Sequence, residues 1–397
     1  MIKKLEDFNF NGKTVLVRVD FNVPIKDGKV KGDDRIKKSL PTIKYIKEQG
    51  GKIILMSHLG RPKGKYNKDL SLRPVAQRLS EILGEDILFI DEKEVVNKEV
   101  KDKVKNLKNA EIALLENLRF RPEEEKNEES FSKDLASLAD IYVNDAFGTA
   151  HRAHASNVGV SKFLPSAAGF LLEKEIKYLK ESLENPKRPF VAILGGAKVS
   201  DKINLIKNLL DKIDSIVIVG AMANTFIKSM GKEVGKSLVE DDKLDLARQI
   251  IDQASKKGVN LILPEDFIEA REISDDAKGQ VVDASSIDKD KMVLDIGPNS
   301  LKKIKMVLKD ARTIVWNGPA GVFEVDEFSK GTVGIAKILA DSDALTIVGG
   351  GDSVAAVEKA GVEDKISHIS TGGGASLELL EGKVLPAIKA LGEANEN

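Results

Sequence analysis

Short apolar runs alternate with amphipathic helical stretches along the whole chain, and this alternation limits the possible folds more than any other feature. Runs this short and this continuously apolar are typical of strands buried on both faces of a parallel sheet. Their alternation with helices such as Leu72–Leu83 and Asp201–Leu210 predicts βαβ units and doubly wound sheets. Strands are expected at Thr14–Asp20, Lys52–Ser57, Ile87–Ile90, Ile112–Leu115, Ile141–Asn144, Phe190–Leu194, Ile216–Val219, Leu261–Leu263, Met292–Asp295, Thr313–Trp316, Leu345–Val348 and Ile366–Ile369.

The length of 397 residues favours two domains, since one core rarely serves more than about 250–300 residues. The best candidate for the junction is Ala167–Leu183, which reads as one amphipathic helix. It is followed by Asn185, Pro186 and Pro189, and a new strand is expected from Phe190. The sequence therefore predicts an α/β protein with two doubly wound parallel-sheet domains joined by a long helix.

Composition excludes several classes of function. A net charge of −1 argues against bulk binding to nucleic acid or to a membrane surface, both of which need a basic excess. The absence of cysteine excludes disulfides, cysteine-based zinc sites and a cysteine nucleophile. The first ten residues lack the apolar core of a secretory signal, and no stretch approaches about 18 apolar residues. A cytoplasmic location is expected.

Arginine, histidine, aspartate and asparagine follow the predicted strands of the first half. Eight of the twelve arginines and three of the four histidines precede residue 155. Ligands of open α/β sheets bind beyond the carboxyl ends of the strands, and arginine grips carboxylate or phosphate with a planar fork. The segments concerned are Arg18–Pro24, Asp33–Arg35, Ser57–Pro62, Glu116–Phe120 and Asn144–His154.

This pattern indicates a site for a small, multiply charged anion. A single arginine could equally belong to a structural ion-pair network, but five successive strand-end loops favour the anion site. His151 and His154 have a spacing that could serve a metal. Because arginines rather than carboxylates surround them, anion binding or packing is the favoured interpretation.

Glycine-rich segments follow the predicted strands of the second half. Glycine lets backbone N–H groups approach a phosphate, and a helix N-terminus adds a favourable dipole. Lys198 and Lys202 would lie on one helix face if a helix starts near Val199, and Asp352 is the ligand type that Mg²⁺ prefers beside phosphate. A nucleotide site is predicted here, although each glycine run alone could be a plain turn. The segments are Gly195–Lys202, Asn317–Glu324, Gly349–Ser353 and Thr371–Ser376.

Other nucleotide-binding motifs are missing from the sequence. The segment Gly231–Ser237 is one spacer residue short of a P-loop and follows a helical stretch. Gly349–Val354 and Gly372–Leu377 each lack the last glycine of the dinucleotide fingerprint. The protein-kinase signature set is absent as well.

Several segments together resemble the phosphoglycerate kinase family, with the motifs in order from about Lys13 to Lys383. They are VRVDFNVP, SHLGRP, FGTAHRAHAS, LGGAKVSDK, WNGPAGVFE, VGGGDS and STGGGASLELLEGK. The resemblance implies one Rossmann-like domain per lobe and reversible phosphoryl transfer between 1,3-bisphosphoglycerate and ADP, giving 3-phosphoglycerate and ATP in glycolysis and gluconeogenesis. Residues 1–170 with the tail 381–397 would bind the phosphoglycerate, residues 171–380 would bind the nucleotide, and the linker helix would span about 167–183.

The resemblance also implies site residues, carried over by motif. The phosphoglycerate site would comprise Asp20, Phe21, Asn22, Arg35, His58, Leu59, Gly60, Arg61, Arg119 and Arg152. The nucleotide site would comprise Lys198, Lys202, Val293, Leu294, Asn317, Glu324, Gly350, Gly351, Asp352 and Ser353. Glu324 would hold the ribose hydroxyls and Asp352 the Mg²⁺ bound with ADP or ATP, and Gly372 and Gly373 would donate N–H groups to the phosphoryl group in flight.

The attacking oxygen of this reaction is already anionic, so no general base is needed and charge neutralisation is the main task. We assign that role to Arg35 and Lys202. Since the substrates bind different lobes, we expect the lobes to close about the linker helix, which scattering would detect as compaction with both ligands bound. A monomer is expected.

Two departures from the family pattern stand near the expected adenine pocket. The family usually has glycine where this chain has Val219 and Val293. Backbone approach to the base, and with it nucleotide affinity or base preference, is expected to differ there.

Rival interpretations remain at this point. Another two-domain ATP-dependent carboxylate kinase would share the same features, and a dehydrogenase is disfavoured by the missing dinucleotide fingerprint. A two-lobed solute-binding protein would bind an anion without nucleotide. A coupled assay with ATP and 3-phosphoglycerate separates these possibilities.

Overall fold

The structure, a computed structural model, describes residues 2–394. It divides into two compact units: residues 1–176 together with 384–397 form the first unit, and residues 177–383 form the second. The division falls inside a helix, Phe170–Glu184. Of the expected tail 381–397, residues 395–397 lie outside the described residues.

The first unit is built on a parallel sheet with the strand order β1-β9-β8-β2-β5-β7-β6, and β3 and β4 form a separate antiparallel hairpin. The strands are β1 (Lys3–Lys4), β2 (Thr14–Arg18), β3 (Ile25–Lys26), β4 (Lys29–Val30), β5 (Lys52–Met56), β6 (Leu88–Ile90), β7 (Ile112–Leu115), β8 (Ile141–Asn144) and β9 (Ser166–Ala168). The helices are α1 (Asp34–Glu48), α2 (Arg73–Leu83), α3 (Lys98–Lys105), α4 (Pro122–Glu125), α5 (Glu129–Ala136) and α6 (Phe170–Glu184).

The apolar runs of β2 and β5 form the centre of the first core, as their sequence predicts. Val15 and Val17 on β2 pack with Ile53 and Leu55 on β5, and helix α1 adds Ile43 from one face. Each of these side chains is fully buried. Burial of a valine, leucine or isoleucine side chain contributes roughly 1.5–3 kcal/mol, so the central strands are firmly placed. Their carboxyl ends therefore present the following loops at fixed positions.

The second unit contains a parallel sheet with the strand order β12-β11-β10-β16-β17-β18 and a smaller antiparallel sheet with the order β14-β13-β15. The strands are β10 (Phe190–Leu194), β11 (Ser215–Ile218), β12 (Asn260–Ile262), β13 (Asp266–Ala270), β14 (Gln280–Asp283), β15 (Met292–Ile296), β16 (Thr313–Asn317), β17 (Leu345–Gly349) and β18 (His368–Ile369). The helices are α7 (Ile203–Leu209), α8 (Ala221–Ser229), α9 (Leu244–Lys256), α10 (Pro298–Leu308), α11 (Lys330–Ala340), α12 (Gly351–Ala360) and α13 (Gly373–Leu380). A last helix, α14 (Pro386–Glu393), belongs to the first unit.

The predicted α/β fold with two parallel sheets is confirmed, but the prediction for β15 was wrong in its sheet. Met292–Ile296 pairs antiparallel with β13, which also pairs antiparallel with β14. Neither β13 nor β14 was predicted, because their sequences, DFIEA and QVVD, carry charged or polar residues instead of a continuous apolar run.

The predicted linker helix starts too early. Ala167 and Ala168 lie in β9, which pairs with β8 and β1, and α6 begins only at Phe170. The break falls at Gly169, where a Cβ atom would lie 2.3 Å from the Asp145 carboxylate. Only glycine fits this close approach, so the strand ends here and the helix starts after it.

The predicted helix Asp201–Leu210 is also shorter than expected. Ser200–Lys202 form a 3₁₀ turn and α7 starts at Ile203, so Lys198 and Lys202 do not share a regular α-helical face. The backbone N–H of Ser200 donates to Glu240 at 3.1 Å, which anchors this turn. α12 starts at Gly351, so the last three residues of the predicted glycine-rich segment Gly349–Ser353 form its first turn. The remaining predicted elements agree with the structure to within two residues at each end.

No helix within residues 2–394 is both long enough and apolar enough to cross a bilayer.

One buried carboxyl group in each unit accepts hydrogen bonds from the backbone of another segment. Asp145 accepts hydrogen bonds from the N–H groups of Leu171 (2.9 Å) and Leu172 (3.3 Å) in the first turn of α6. Asp295 accepts from the N–H groups of Gly331 (2.7 Å) and Ile296 (2.9 Å). Burial raises the pKa of both carboxyl groups to about 7, although these hydrogen bonds act in the opposite direction.

These two carboxyl groups predict a pH-dependent stability. A carboxyl group whose pKa is higher in the folded protein stabilises it fully below its unfolded pKa of about 4, and this contribution is lost as the pH rises to about 7. The difference in unfolding free energy between wild type and Asp145→Asn, or Asp295→Asn, should therefore fall between pH 4 and 7. The total fall for each is at most roughly 4 kcal/mol, from three pKa units at about 1.36 kcal/mol each. Urea unfolding across this range measures it, and a pH-independent difference would contradict it.

Candidate active site

The loops after β2 and β5 are tied together around Arg35. This arginine lies in the first turn of α1, and its Nη1 donates to Asp20 Oδ2 at 3.0 Å and to the Asn22 carbonyl at 3.2 Å. The Asn22 side chain in turn accepts from the Gly60 N–H at 2.9 Å. The Phe21 N–H donates to Ser57 Oγ at 2.9 Å. Four predicted residues, Asp20, Asn22, Arg35 and Gly60, are thus brought together. The Arg35 side chain is 40% exposed, and its Nε and Nη2 groups have no acceptor within residues 2–394.

Arg119 is a buried cation with unsatisfied donors. Its side chain is 3% exposed, and its Nη1 donates to the Gly60 carbonyl at 2.8 Å. The Nε and Nη2 groups are buried without a hydrogen-bond acceptor among the described residues, although Nε lies 3.3 Å from Glu125 Oε1. A buried donor left unpaired costs about 1–3 kcal/mol, and more when it is charged. An oxyanion at these two nitrogens would remove that cost.

Asn117 fixes the backbone around Arg119 and Leu59. Its Oδ1 accepts from the N–H groups of Leu59 and Arg119, both at 3.1 Å, and its Nδ2 donates to the Leu59 carbonyl at 2.7 Å and the Leu70 carbonyl at 2.9 Å. The side chain is fully buried. One asparagine therefore joins the loops after β5 and β7, and holds Leu59 in place.

Arg18, which the sequence motifs contain but did not assign to the site, is fully buried at the end of β2. Its Nε donates to Ser156 Oγ at 2.8 Å, and Ser156 Oγ donates to Glu124 Oε1 at 2.6 Å. Its Nη2 lies 3.2 Å from His58 Nδ1. Glu124 is also fully buried, and burial raises its pKa while the charge of Arg18 opposes that shift. Ser156 therefore links a buried cation to its counter-charge.

The positive charges of these arginines act on two buried histidines. His58 and His154 are 4% and 8% exposed. Burial, followed by the charges of Arg18, Arg119 and Arg152, holds the pKa of His58 well below its ordinary value and lowers the pKa of His154 to about 3. Both rings are accordingly neutral at pH 7, so the positive charge of the cluster resides on the guanidinium groups.

The two remaining predicted arginines of the first unit are more accessible. Arg152 is half-buried, and its Nε donates to His151 Nε2 at 3.3 Å. Arg61 is exposed. Burial lowers the pKa values of Arg18 and His58, and the charge of Arg152 lowers them further, so Arg152 contributes to the electrostatic cluster.

In the second unit, Lys202 contacts the end of β16. Its Nζ donates to Asn317 Oδ1, and Asn317 Nδ2 donates to the Gly349 carbonyl at 2.9 Å. Burial lowers the pKa of Lys202, and the charges of Asp201, Asp352 and Glu381 oppose that shift. The predicted residues Lys202 and Asn317 are therefore joined at the carboxyl ends of β16 and β17.

Two helix N-termini converge beside this contact. A Cβ atom built on Gly373, the first residue of α13, would lie 3.5 Å from the backbone N of Gly351, the first residue of α12. Gly350 adopts a φ of +94°, which favours glycine, and a Cβ atom there would lie 3.0 Å from Asn317 Nδ2. The first N–H groups of a helix have no partner within the helix, and its dipole favours anions. This arrangement is chemically suited to a phosphate.

The glycine loops after β10 and β16 pack against each other through their backbones. A Cβ atom on Gly195 would lie 2.2 Å from the Pro319 carbonyl oxygen, and Gly318 has a φ of +98°. The Gly318 N–H donates to the fully buried Ser353 Oγ at 2.6 Å, so Ser353 connects the start of α12 to this loop. Here glycine serves backbone packing as well as ligand approach.

The remaining predicted residues of the second unit differ in their exposure. Lys198, Glu324 and Asp352 are exposed, and Leu294 is buried. Gly372 has an N–H that donates to Ser370 Oγ at 3.3 Å, so it precedes α13 in a fixed turn.

The two valines that depart from the family pattern both pack against apolar side chains. Val219 is fully buried in the core of the parallel sheet. Val293 packs beside Phe267 and Ile227, and its N–H donates to Ser237 Oγ at 2.8 Å. Both side chains therefore add to apolar contacts.

Sequence reasoning missed Arg18, Glu124 and Ser156 as site residues. An arginine within the apolar run VLVRVD was an available signal, because a charge in a strand buried on both faces needs a partner. Glu124 gave no such signal, since the segment PEEEKNEE reads as a solvated acidic surface.

Comparisons with known proteins agree on one family. The family model described as "Phosphoglycerate kinase" matches residues 5–383. The chain is 58% identical to the phosphoglycerate kinase of Finegoldia magna over 391 residues, covering 98% of this chain and 99% of that protein. It is 55% identical to that of Clostridium tetani over 392 residues, covering 98% of both.

Solved structures give the same result. The phosphoglycerate kinase of Coxiella burnetii matches with a TM-score of 0.91 and 44% identity, covering 99% of each chain. The enzyme from Pyrococcus horikoshii matches with a TM-score of 0.86 and 37% identity, covering each chain completely.

The buried histidines lead to a spectroscopic prediction. In the ligand-free protein, the imidazole of His154 should stay neutral from pH 8 down to about pH 5, because its pKa is about 3. An unfolded histidine titrates near pH 6.5, so this group takes stability away from the fold as the pH falls below about 6.5. Imidazole ¹⁵N shifts measure the ionisation directly, and a histidine-containing peptide serves as the control. A His154 midpoint near pH 6.5 would contradict this prediction.

Proposed function

The chain belongs to the phosphoglycerate kinase family, and from this premise we propose which of its residues bind each substrate. The enzyme transfers a phosphoryl group reversibly between 1,3-bisphosphoglycerate and ADP, giving 3-phosphoglycerate and ATP, and it is a phosphotransferase with a carboxyl group as acceptor. What remains to be assigned is the division of this work between the two units.

The first unit is proposed to bind the phosphoglycerate. The observation that carries this assignment is that the buried Nε and Nη2 groups of Arg119 have no hydrogen-bond acceptor among the described residues. They lie in a loop that also fixes Gly60, which is linked through Asn22 to Arg35. A phosphate with several oxygens suits a set of guanidinium forks better than a single charge does. The proposed residues are Asp20, Phe21, Asn22, Arg35, His58, Leu59, Gly60, Arg61, Arg119 and Arg152, and Arg18 is added to the cluster.

The second unit is proposed to bind the nucleotide. The convergence of the α12 and α13 N-termini supports a phosphate position, and Lys202 beside Asn317 adds a positive charge there. The proposed residues are Lys198, Lys202, Val293, Leu294, Asn317, Glu324, Gly350, Gly351, Asp352 and Ser353. The N–H groups of Gly372 and Gly373 are proposed to serve the transferred phosphoryl group.

The donor set of the second unit fits a magnesium ion carried by the nucleotide. Asp352 is an exposed carboxylate in the first turn of α12, and its charge acts on Lys202. Within residues 2–394 there is no cluster of three or more metal-binding side chains that would form a protein cage. Mg²⁺ is commonly held by one or two carboxylates together with phosphate oxygens, so Asp352 would hold it. When bound, the ion neutralises charge on the phosphate oxygens.

Catalysis is proposed to consist of alignment and charge neutralisation. The attacking oxygen is a carboxylate in one direction and a diphosphate oxygen in the other, and neither carries a proton that must be removed. A site made of arginines, a lysine and main-chain N–H groups suits this chemistry, since phosphoryl transfer needs little else from the protein. Arg35 and Lys202 are assigned to the negative charge of the transition state.

We also propose a cytoplasmic monomer, which is the expectation for a glycolytic enzyme of this family. Sedimentation at working concentration tests the monomer, and a stable dimer would refute it.

The role of Arg35 predicts a loss of turnover without a loss of nucleotide binding. Replacing Arg35 by alanine should lower kcat about 10²–10³-fold, as is usual when one donor to the transition state is removed. A coupled assay with ATP and 3-phosphoglycerate gives kcat, and calorimetry with MgADP gives the nucleotide affinity, which should stay unchanged.

Arg248→Ala provides the control for this variant, because Arg248 is an exposed arginine that pairs with Asp245 on α9. It should retain wild-type kcat. If Arg35→Ala kept activity within a few-fold of wild type, Arg35 could not be the donor to the transition state. If the wild type itself failed to convert 3-phosphoglycerate, the assignment of the reaction would fail.

A further inference from the structure

Asp33 immediately precedes α1, the helix that carries Arg35 in its first turn. An aspartate at this position usually accepts a hydrogen bond from the second or third N–H of the helix, which stabilises the helix. Asp33 makes no such bond. Its carboxylate does not cap the helix, so other interactions determine its orientation.

The main interaction is with Arg78 on the neighbouring helix α2. The Nε and Nη2 groups of Arg78 both donate to Asp33 Oδ2, at 3.0 and 2.6 Å, and its Nη1 donates to Glu81 Oε2 at 2.6 Å. Lys37 Nζ lies 2.8 Å from Asp33 Oδ1. The Asp33 side chain is 15% exposed and that of Arg78 is 37% exposed. Both oxygens of Asp33 are therefore engaged by cations, and one of these cations belongs to another helix.

The surroundings show why this contact matters for geometry. A hollow of about 470 Å³ lies between the hairpin β3–β4 and α2, with Gly28, Lys31, Asp33, Gln77 and Arg78 among the residues that line it. One side of the amino end of α1 thus borders open space at Asp33, while Ile36 in the same turn is fully buried in the core. On the open side, the forked contact of Arg78 with Asp33 ties the start of α1 to α2.

We propose that Arg78 and Asp33 are positioning residues that hold Arg35 in place for phosphoryl transfer; this inference rests on the proposed function. Arg35 reaches Asp20 and the Asn22 carbonyl from the turn that Asp33 anchors. Only two positions along the chain separate Asp33 from Arg35, so a displaced helix start displaces the guanidinium group as well.

Energetics separate this role from a general contribution to stability. Partly exposed ion pairs contribute little to folding, so removing Arg78 should leave the melting temperature nearly unchanged. A catalytic donor displaced by about 1 Å can reduce the rate up to 10²-fold. The effect of Arg78 should therefore be found in kcat.

The test compares two arginines of the same helix. Arg78→Gln should lower kcat about tenfold, with the KM for MgATP and the melting temperature unchanged. Arg73→Gln is the matched control, since Arg73 also lies on α2 and pairs with an aspartate, Asp91, at 53% side-chain exposure. It should keep wild-type kcat. Equal kcat values for wild type and Arg78→Gln would overturn the proposal.

A second comparison tests whether Arg78 affects kcat through Arg35. If Arg78 acts through Arg35, Arg78→Gln should lower kcat in the wild-type background but not in Arg35→Ala. Asp33→Asn should reproduce the loss, and combining it with Arg78→Gln should add nothing further. Equal losses from Arg78→Gln with and without Arg35 would assign its effect to something other than positioning and would refute the proposal.

The same experiments distinguish this inference from the proposed function. An inactive wild type would refute the proposed function itself. An active wild type that loses turnover in Arg35→Ala but not in Arg78→Gln would refute only the positioning role. Arg78→Lys, which keeps the charge but loses the fork, should fall between wild type and Arg78→Gln, and it provides a second measurement if the glutamine variant folds poorly.

Discussion

The rest of the structure depends on one constraint. Positively charged groups and N–H donors lie at the carboxyl ends of parallel strands without a full set of hydrogen-bond acceptors. In the first unit these are guanidinium groups, and Arg119 keeps buried donors without an acceptor among the described residues. In the second they are Lys202 and the first N–H groups of two helices. Such charge is costly in an empty site and becomes favourable when a phosphate or carboxylate arrives.

The two units prepare their proposed anion sites differently. The first uses side chains and therefore needs internal support: Glu124 balances Arg18 through Ser156, and Asn117 orients the backbone of Arg119. The second uses backbone groups and therefore needs close approach, which glycines provide at Gly195 and Gly350. The difference is visible in protonation too, because the crowded guanidinium groups help to keep His58 and His154 neutral.

Much of this architecture follows from local sequence. The parallel strands were predictable, because continuous apolar runs such as those of β5 and β10 suit strands buried on both faces. The strand-end residues Asp20, Arg35 and Gly60 could be expected to meet, since loops at one edge of a parallel sheet converge. The resemblance to one family then specified the reaction.

The rest depended on contacts distant in sequence. The antiparallel strands β13 and β14 gain their stability from pairing and not from an apolar run, so their sequence pattern is weak. The start of α6 was misjudged because the space at Gly169 is limited by Asp145, 24 positions earlier in the chain. Glu124 and Arg78 appear as ordinary surface charges until the fold brings them to Ser156 and Asp33.

The most direct test of the central claim is a calorimetric titration of 3-phosphoglycerate and of MgADP, each alone, into wild type and Arg119→Gln. If the Nε and Nη2 donors of Arg119 bind the phosphoglycerate, the substitution should weaken the binding of 3-phosphoglycerate about 10- to 100-fold. This corresponds to about 1.5–3 kcal/mol for a hydrogen bond to a charged group. Binding of MgADP should not change. Equal affinities of wild type and Arg119→Gln for 3-phosphoglycerate would contradict the claim.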